Sequence, residues 1–225
     1  ALGFTGLLNL GHIAFFGIGA YTSTLLTKAG MPFIAAFLLA GLFTSLFGYL
    51  LVYATKKLKG DYLALATLAF SFVISSLMLN WMSLTRGPLG ITGIAKPSLL
   101  GLTANSNFSY FILVLIVAVL TIWIISRIVK SPFGRLLQAT RDDDLSLRVL
   151  GKNTFKLKCK AMMISAFFAG IAGSLFAHYI SYIDPNFFSL TEIILILTIV
   201  IVGGIASIKG SVAATFLILL IPEAL

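Results

Sequence analysis

The sequence has little charge, few acids and almost no cysteine. Only 10% of its 225 residues are Asp, Glu, Lys or Arg, against about 25% in soluble domains, which excludes an ordinary water-soluble globule. A single cysteine, Cys159, cannot form an intramolecular disulfide and is read as inert, and no Cys/His spacing answers to a metal centre. Seven acids and two histidines leave no row of intramembrane ionisable groups of the kind an ion-coupled carrier uses. Signatures of chemistry are missing as well: no helix-borne His-Glu-x-x-His, no Gly-x-Ser-x-Gly, and no paired acid and base. The nearest approach to a phosphate-binding loop, Gly151-Lys152, is followed by Asn153, and Ser146 stands where the earlier glycine belongs. The chain is therefore not read as an enzyme, and any energy it uses must come from outside it.

What it has instead is apolar length. Hydrophobic residues make up 59% of the chain and the mean hydropathy is +1.07. Charge-free runs cover 1–27, 29–55, 62–85, 97–126, 161–183, 193–208 and 210–222, most of them near the roughly 20 residues that cross a bilayer at about 1.5 Å per residue. Backbone groups in hydrocarbon must be bonded within their own segment, so these runs are read as helices. The alternation of an outer-membrane barrel strand is absent. The expected spans are about 5–26, 32–54, 62–82, 108–129, 161–182, 189–208 and 210–225. That is an all-α polytopic membrane protein of about seven transmembrane helices in one domain, 1–225, with the last two spans short and joined tightly around Lys209–Gly210. The chain opens and closes inside apolar runs, so it is expected to be a fragment that lacks at least one span at one or both ends.

The net charge of +9 does not indicate nucleic acid, because the basic residues fall in the gaps between spans rather than on one soluble face. One side of the membrane collects thirteen of them, among them Lys56, Lys57, Lys59 and Lys209; the other collects Lys28, Arg86 and Lys96. The positive-inside rule then places the rich side in the cytoplasm and residues 83–107 and the Asp184–Pro185 turn outside. Nine of the sixteen basic residues lie in one island, Arg127–Lys160, with Asp142, Asp143 and Asp144. Ser131-Pro132 reads as a helix start, Ser at the cap and Pro at the first position, and Gly151 as the residue that ends it. Leu136, Leu137, Leu147 and Leu150 give an apolar stripe between them. It suits either a solvated interfacial helix or a helix that docks in a groove on a cytoplasmic protein.

The first span carries Gly3, Gly6, Gly11, Gly17 and Gly19 beside Asn9 and His12. Small residues let membrane helices pack closely, which is the favoured reading. The alternative is a broken helix lining a pathway. His12 and His178 have no acidic neighbour at helical spacing and are read as packing or hydrogen-bonding residues. Glu192 begins a span, where a carboxylate suits a helix N-terminus, and is a candidate by its membrane position.

Several segments resemble one family. Gly6-Leu-Leu-Asn-Leu-Gly-His-Ile-Ala-Phe-Phe-Gly-Ile-Gly-Ala-Tyr21 is similar to the signature near the start of permease subunits of bacterial ABC importers for branched-chain amino acids. Lys59–Phe70, Thr85–Ile94, Ser131–Arg135 with Leu150-Gly151, Ala169–Ser174 and Val202–Gly210 follow in the family's order, and Thr85–Ile94 is typical of the M-type subunit of the leucine/isoleucine/valine system. The resemblance implies one of two membrane subunits in the bacterial inner membrane. It implies work with a second permease, two cytoplasmic ATPase subunits that bind the ATP, and an extracytoplasmic substrate-binding protein, with no cofactor of its own. The segment of about 130–160 would be the coupling loop, with Gly134, Arg135, Arg141, Asp142, Asp143, Asp144, Leu147 and Gly151 as its contact candidates. Gly151 matches the glycine of the importers' Glu-Ala-Ala-x-x-x-Gly loop, while Leu145-Ser146-Leu147 departs from it. The expected pathway lining is Asn9, His12, Tyr21 and Thr67, with Glu192 as a further candidate. Urea or small-amide permeases look similar, and a secondary carrier or a structural subunit of a membrane complex are the other classes left open.

Overall fold

The structure, a computed structural model, describes residues 2–58, 60–99, 102–103 and 106–224. Lys59 and Leu225, used in the charge count and the last span, lie outside the described residues. Eleven α-helices run in order among them: α1 (Leu2–Thr5), α2 (His12–Lys28), α3 (Phe33–Ala54), α4 (Asp61–Asn80), α5 (Met82–Thr85), α6 (Asn107–Lys130), α7 (Pro132–Asp142), α8 (Asp144–Val149), α9 (Thr154–Ile180), α10 (Leu190–Val202) and α11 (Ile208–Ala224). Four of them, α3, α4, α6 and α9, are each long and apolar enough to cross a membrane. The other apolar helices, α2, α10 and α11, are shorter, 17, 13 and 17 residues. All seven expected apolar segments are therefore helical, though not with the expected bounds.

The centre of the molecule is α2, α3 and α9, which make its most extensive packing. Glycine sets their distance. A Cβ on Gly19 would lie 2.2 Å from the Gly170 carbonyl oxygen, and one on Gly173 would lie 1.9 Å from that of Phe16. Lipid tails are as apolar as leucine, so such close backbone contact supplies the association that the hydrophobic effect does not. A buried polar chain crosses the same seam. Ser174 donates to Ser23 at 2.7 Å, and Ser23 lies 3.0 Å from His178 Nε2. His178 Nδ1 lies 2.7 Å from the Ala95 carbonyl oxygen. That oxygen can only accept, so the hydrogen is assigned to Nδ1 and Nε2 accepts from Ser23.

Two antiparallel strand pairs add to the helices: β1 (Ile91–Thr92) with β4 (Tyr182–Ile183), and β2 (Ser98–Leu99) with β3 (Leu102–Thr103). Ile91 pairs with Ile183 and Thr92 with Tyr182, while Lys28 Nζ donates to the Thr92 carbonyl at 2.7 Å. Segments assigned outside by charge thus meet at one end of the bundle.

Four expectations are corrected. The first span is not one helix over 5–26: α1 ends at Thr5, α2 begins at His12, and residues 6–11 between them are irregular. The fifth begins at Thr154 rather than 161, because Asn153 caps it by accepting from the Lys156 amide at 3.0 Å, and Lys156, Lys158 and Lys160 extend from its first turns. The tight connection before the last helix is 203–207, with Gly204 at φ +89 and Ala206 at φ +74, so Lys209 belongs to α11. The island is two helices rather than one. Asp143 leaves helical geometry (φ −153, ψ 101) and accepts from the amides of Leu145 and Ser146 at 2.9 and 3.1 Å, because a short acidic side chain caps better than it continues a helix.

Candidate functional site

The break between α1 and α2 is an irregular backbone stretch inside the apolar part of the bundle, and it is held by α4. Leu10 donates its amide to Thr67 Oγ1 at 3.0 Å and accepts from Ser71 Oγ at 3.2 Å. Thr67 passes its own hydrogen to the Ala64 carbonyl at 2.8 Å. Asn9 Oδ1 accepts from the Gly11 amide at 2.8 Å, and its Nδ2 points at the Met162 sulfur at 3.4 Å. Non-helical backbone is tolerated at membrane depth where protein or a cavity surrounds it, and both surround this one.

Two adjoining cavities lie against the break, about 440 and 370 Å³. They share Phe4, His12, Ile125, Ser165 and Ile196. Asn9 joins the lining of the smaller together with Ser207 and Ser211 of the α10–α11 hairpin; the larger reaches Gly134 and Leu137 of α7. The space is thus apolar, aliphatic and aromatic, with scattered neutral polar groups, and its floor is part of the island.

Of the expected lining, Asn9 and His12 meet at these cavities, and Thr67 supports the break while being fully buried. Tyr21 does not join them. Nine residues further along α2, about 13 Å, it is buried with a hydroxyl that has no hydrogen-bond partner, beside a separate groove of about 590 Å³ between α2, α3 and α4. Glu192 is exposed in the first turn of α10 and stands apart from both cavities. Ser165, Ser207 and Ser211 are lining residues that sequence reasoning missed. For Ser165 the signal was present: Ala161, Ser165, Phe168, Ala169 and Ala172 follow helical spacing and all face the larger cavity.

The island forms a layer beneath this site. Ser131 caps α7 by accepting from the Gly134 amide at 3.3 Å, and Gly134 has no room for a side chain, since a Cβ would lie 2.1 Å from the Val129 carbonyl oxygen. At its other end Gly151 (φ +73) closes α8: Gly151 donates to Arg148 and Lys152 to Leu147, at 2.9 and 3.0 Å. That is the paired hydrogen-bond ending that glycine permits. Asp144 pairs with Arg148 at 2.6 Å and Lys158 at 3.3 Å. Burial alone would raise the Asp144 carboxyl, but the Thr154 hydroxyl, the Lys158 ammonium and the Arg148 guanidinium hold it below the ordinary carboxylate value. The exposed Asp143 carboxyl is lowered by the Ser146 hydroxyl and the amides of Ser146 and Leu145.

Among the coupling candidates Gly134 and Leu147 are buried, while Arg135, Arg141, Asp142, Asp143 and Gly151 are exposed. Three further side chains stand out on α8 and its cap: Leu145, Val149 and Leu150 are 72%, 82% and 74% exposed. They make an apolar face on an otherwise charged layer.

A family model described as branched-chain amino acid transport system / permease component matches residues 1–225. The chain is 36% identical to the high-affinity branched-chain amino acid transport system permease protein LivM of Salmonella typhimurium and of Escherichia coli, over 99% of this chain and 58% of each relative. A probable branched-chain amino acid transport permease protein LivM of Methanocaldococcus jannaschii is 29% identical over 79% of this chain and 51% of its own length. The autoinducer 2 import system permease protein LsrC of Salmonella typhi is 30% identical over 65% and 40%. No solved structure matches. The chain spans between half and two thirds of the length of the LivM relatives.

Proposed function

Because the chain belongs to the branched-chain amino acid transport permease family, we propose that it forms the translocation path of an ATP-driven importer and passes branched-chain amino acids inward. It is a multi-pass inner-membrane protein whose own residues do no bond chemistry. Energy enters through two cytoplasmic ATPase subunits, which bind the ATP. A second permease subunit completes the path and an extracytoplasmic binding protein delivers the substrate.

The observation that carries this reading is the apolar face of α8. Leu145, Val149 and Leu150 project from a charged layer on the side that charge asymmetry assigns to the cytoplasm. A side chain of this kind contributes about 1.5–3 kcal/mol when fully buried, so a groove on a soluble partner is its natural complement. The same layer continues through α7 to the floor of the cavities at Gly134 and Leu137. Force applied at α8 therefore has a short rigid route to the break in the first span. The apolar, largely uncharged lining suits a leucine, isoleucine or valine side chain and leaves much of the selectivity to the binding protein.

The test is reconstitution of the full-length subunit with its second permease, ATPases and binding protein in vesicles. Labelled leucine should enter only when ATP is supplied on the ATPase side, and labelled urea should not. Uptake driven by an ion gradient without ATP would assign the protein to the secondary carriers instead.

A further inference from the structure

One contact joins the island directly to the broken first span. Arg141, near the C-terminal end of α7, donates from Nη1 to the carbonyl of Gly3 in α1 at 2.8 Å. The stem of the same side chain lies against Gly6, where the backbone sits at φ +65 and a Cβ would come within 3.0 Å of Arg141 Cγ. Its Nε donates to Asp142 Oδ1 at 3.3 Å, which fixes the guanidinium from behind. On the far side α1 abuts the α10–α11 connection: a Cβ on Gly3 would lie 2.5 Å from the Ala206 nitrogen. The four residues of α1 are therefore gripped between α7 and that turn, and its Phe4 lines both cavities with His12. A single helical turn is unfavourable alone, so these contacts set where α1 sits.

The geometry points to Arg141 as the positioning residue through which α7 moves α1, a role that rests on the importer reading above. Helix α7 is capped by Ser131, and Gly134 and Leu137 seat it at the cavity floor. A displacement of the layer thus carries Arg141 with it as part of one body. The charge-assisted bond to Gly3 and the glycine contact at Gly6 then draw α1, which forms one wall of the cavities, along the same path. The cavity wall and the layer become one two-state element. In this arrangement Arg141 acts inward, on its own chain, and the docking contacts belong to α8.

The experiment uses the complete complex in vesicles, with R141A and R141K compared against the unaltered protein for membrane insertion, ATPase association, ATP hydrolysis and leucine uptake. A hydrogen bond from a charged group is worth enough to shift a two-state equilibrium by about tenfold or more. The expected result is normal insertion and association, retained ATP hydrolysis, and uptake per ATP lowered about tenfold in R141A. R141K, which keeps a cationic N–H donor group, should recover part of the loss. If R141A loses the ATPase, Arg141 is an outward contact and the inference is overturned. It is overturned equally if uptake per ATP is unchanged, if R141K transports no better than R141A, or if R141A fails to insert. The importer reading is judged separately, by ATP-driven uptake in the unaltered complex.

Discussion

Thr67 and Leu10, 57 positions apart in the chain, share a hydrogen bond of 3.0 Å that holds the broken first span against α4. Ser71 binds the other side of the same residue, at the Leu10 carbonyl. The irregular backbone of the site is thus stabilised by two hydroxyls from a neighbouring helix.

Replacing Thr67 by Val keeps the shape and removes the acceptor. The part-buried Leu10 amide then loses its partner, at a cost of about 1 kcal/mol. Thermal unfolding of the purified protein should show T67V less stable than T67S, which keeps the hydroxyl. Equal stability would mean that the break is held by packing.

The glycines of the α2–α9 seam should be far less tolerant than those of exposed turns. G173A places a methyl 1.9 Å from the Phe16 carbonyl oxygen and forces two helices apart, a cost of about 3 kcal/mol or more. G151A meets nothing within 4 Å and costs only its left-handed backbone, about 1–2 kcal/mol. Folded yield after membrane extraction should rank the unaltered protein above G151A and both well above G173A.

These contrasts mark what was legible in the sequence. The seven apolar segments could be read, because hydropathy is local and the bilayer imposes it. The break at 6–11 showed only as a run of glycines, since the residues that stabilise it, Thr67 and Ser71, lie far along the chain. The start of α9 was placed too late because Lys156, Lys158 and Lys160 end a charge-free run without ending a helix; long basic side chains carry their charge beyond the apolar edge. The stretch from Ser131 to Gly151 reads as one helix because its two ends carry the strong signals, whereas the Asp143 side chain starts a second helix within it. Tyr21 was grouped with Asn9 and His12 by its span and Glu192 by its membrane position. Distance along α2 separates Tyr21 from the cavities, and helix face separates Glu192, whose neighbour Ile193 lines the smaller one.

The cap of α8 should depend on pH in one direction only. Bonds from Ser146 and Leu145 depress the Asp143 carboxyl in the folded protein, so its contribution is present above the unfolded value of about 3.9 and lost as pH falls through the lower, folded value. Hydrogen exchange at Leu145 and Ser146 should therefore show constant protection from about pH 8 to 5 and a loss below about 4. Protection lost between pH 7 and 5 would contradict the assignment.

Sidedness is open to direct labelling. In a C159A background, an impermeant thiol reagent should label N186C in intact cells and S146C only after permeabilisation. Asn186 follows β4, which pairs with β1 at the end that loop charge assigns outside, and Ser146 lies in the island. Reversed labelling would invert the topology and remove the island from the cytoplasm.

The central claim is that the exposed face of α8 receives the energy for transport. The most direct measurement replaces Leu145 and Val149 by Asp together and follows ATPase association and ATP-driven leucine uptake in the reconstituted complex. Both side chains are exposed, so the subunit should insert and fold as before. Association and uptake should each fall about tenfold or more, as for the loss of central apolar anchors in an interface. Unchanged association with unchanged ATP-driven uptake would contradict the account.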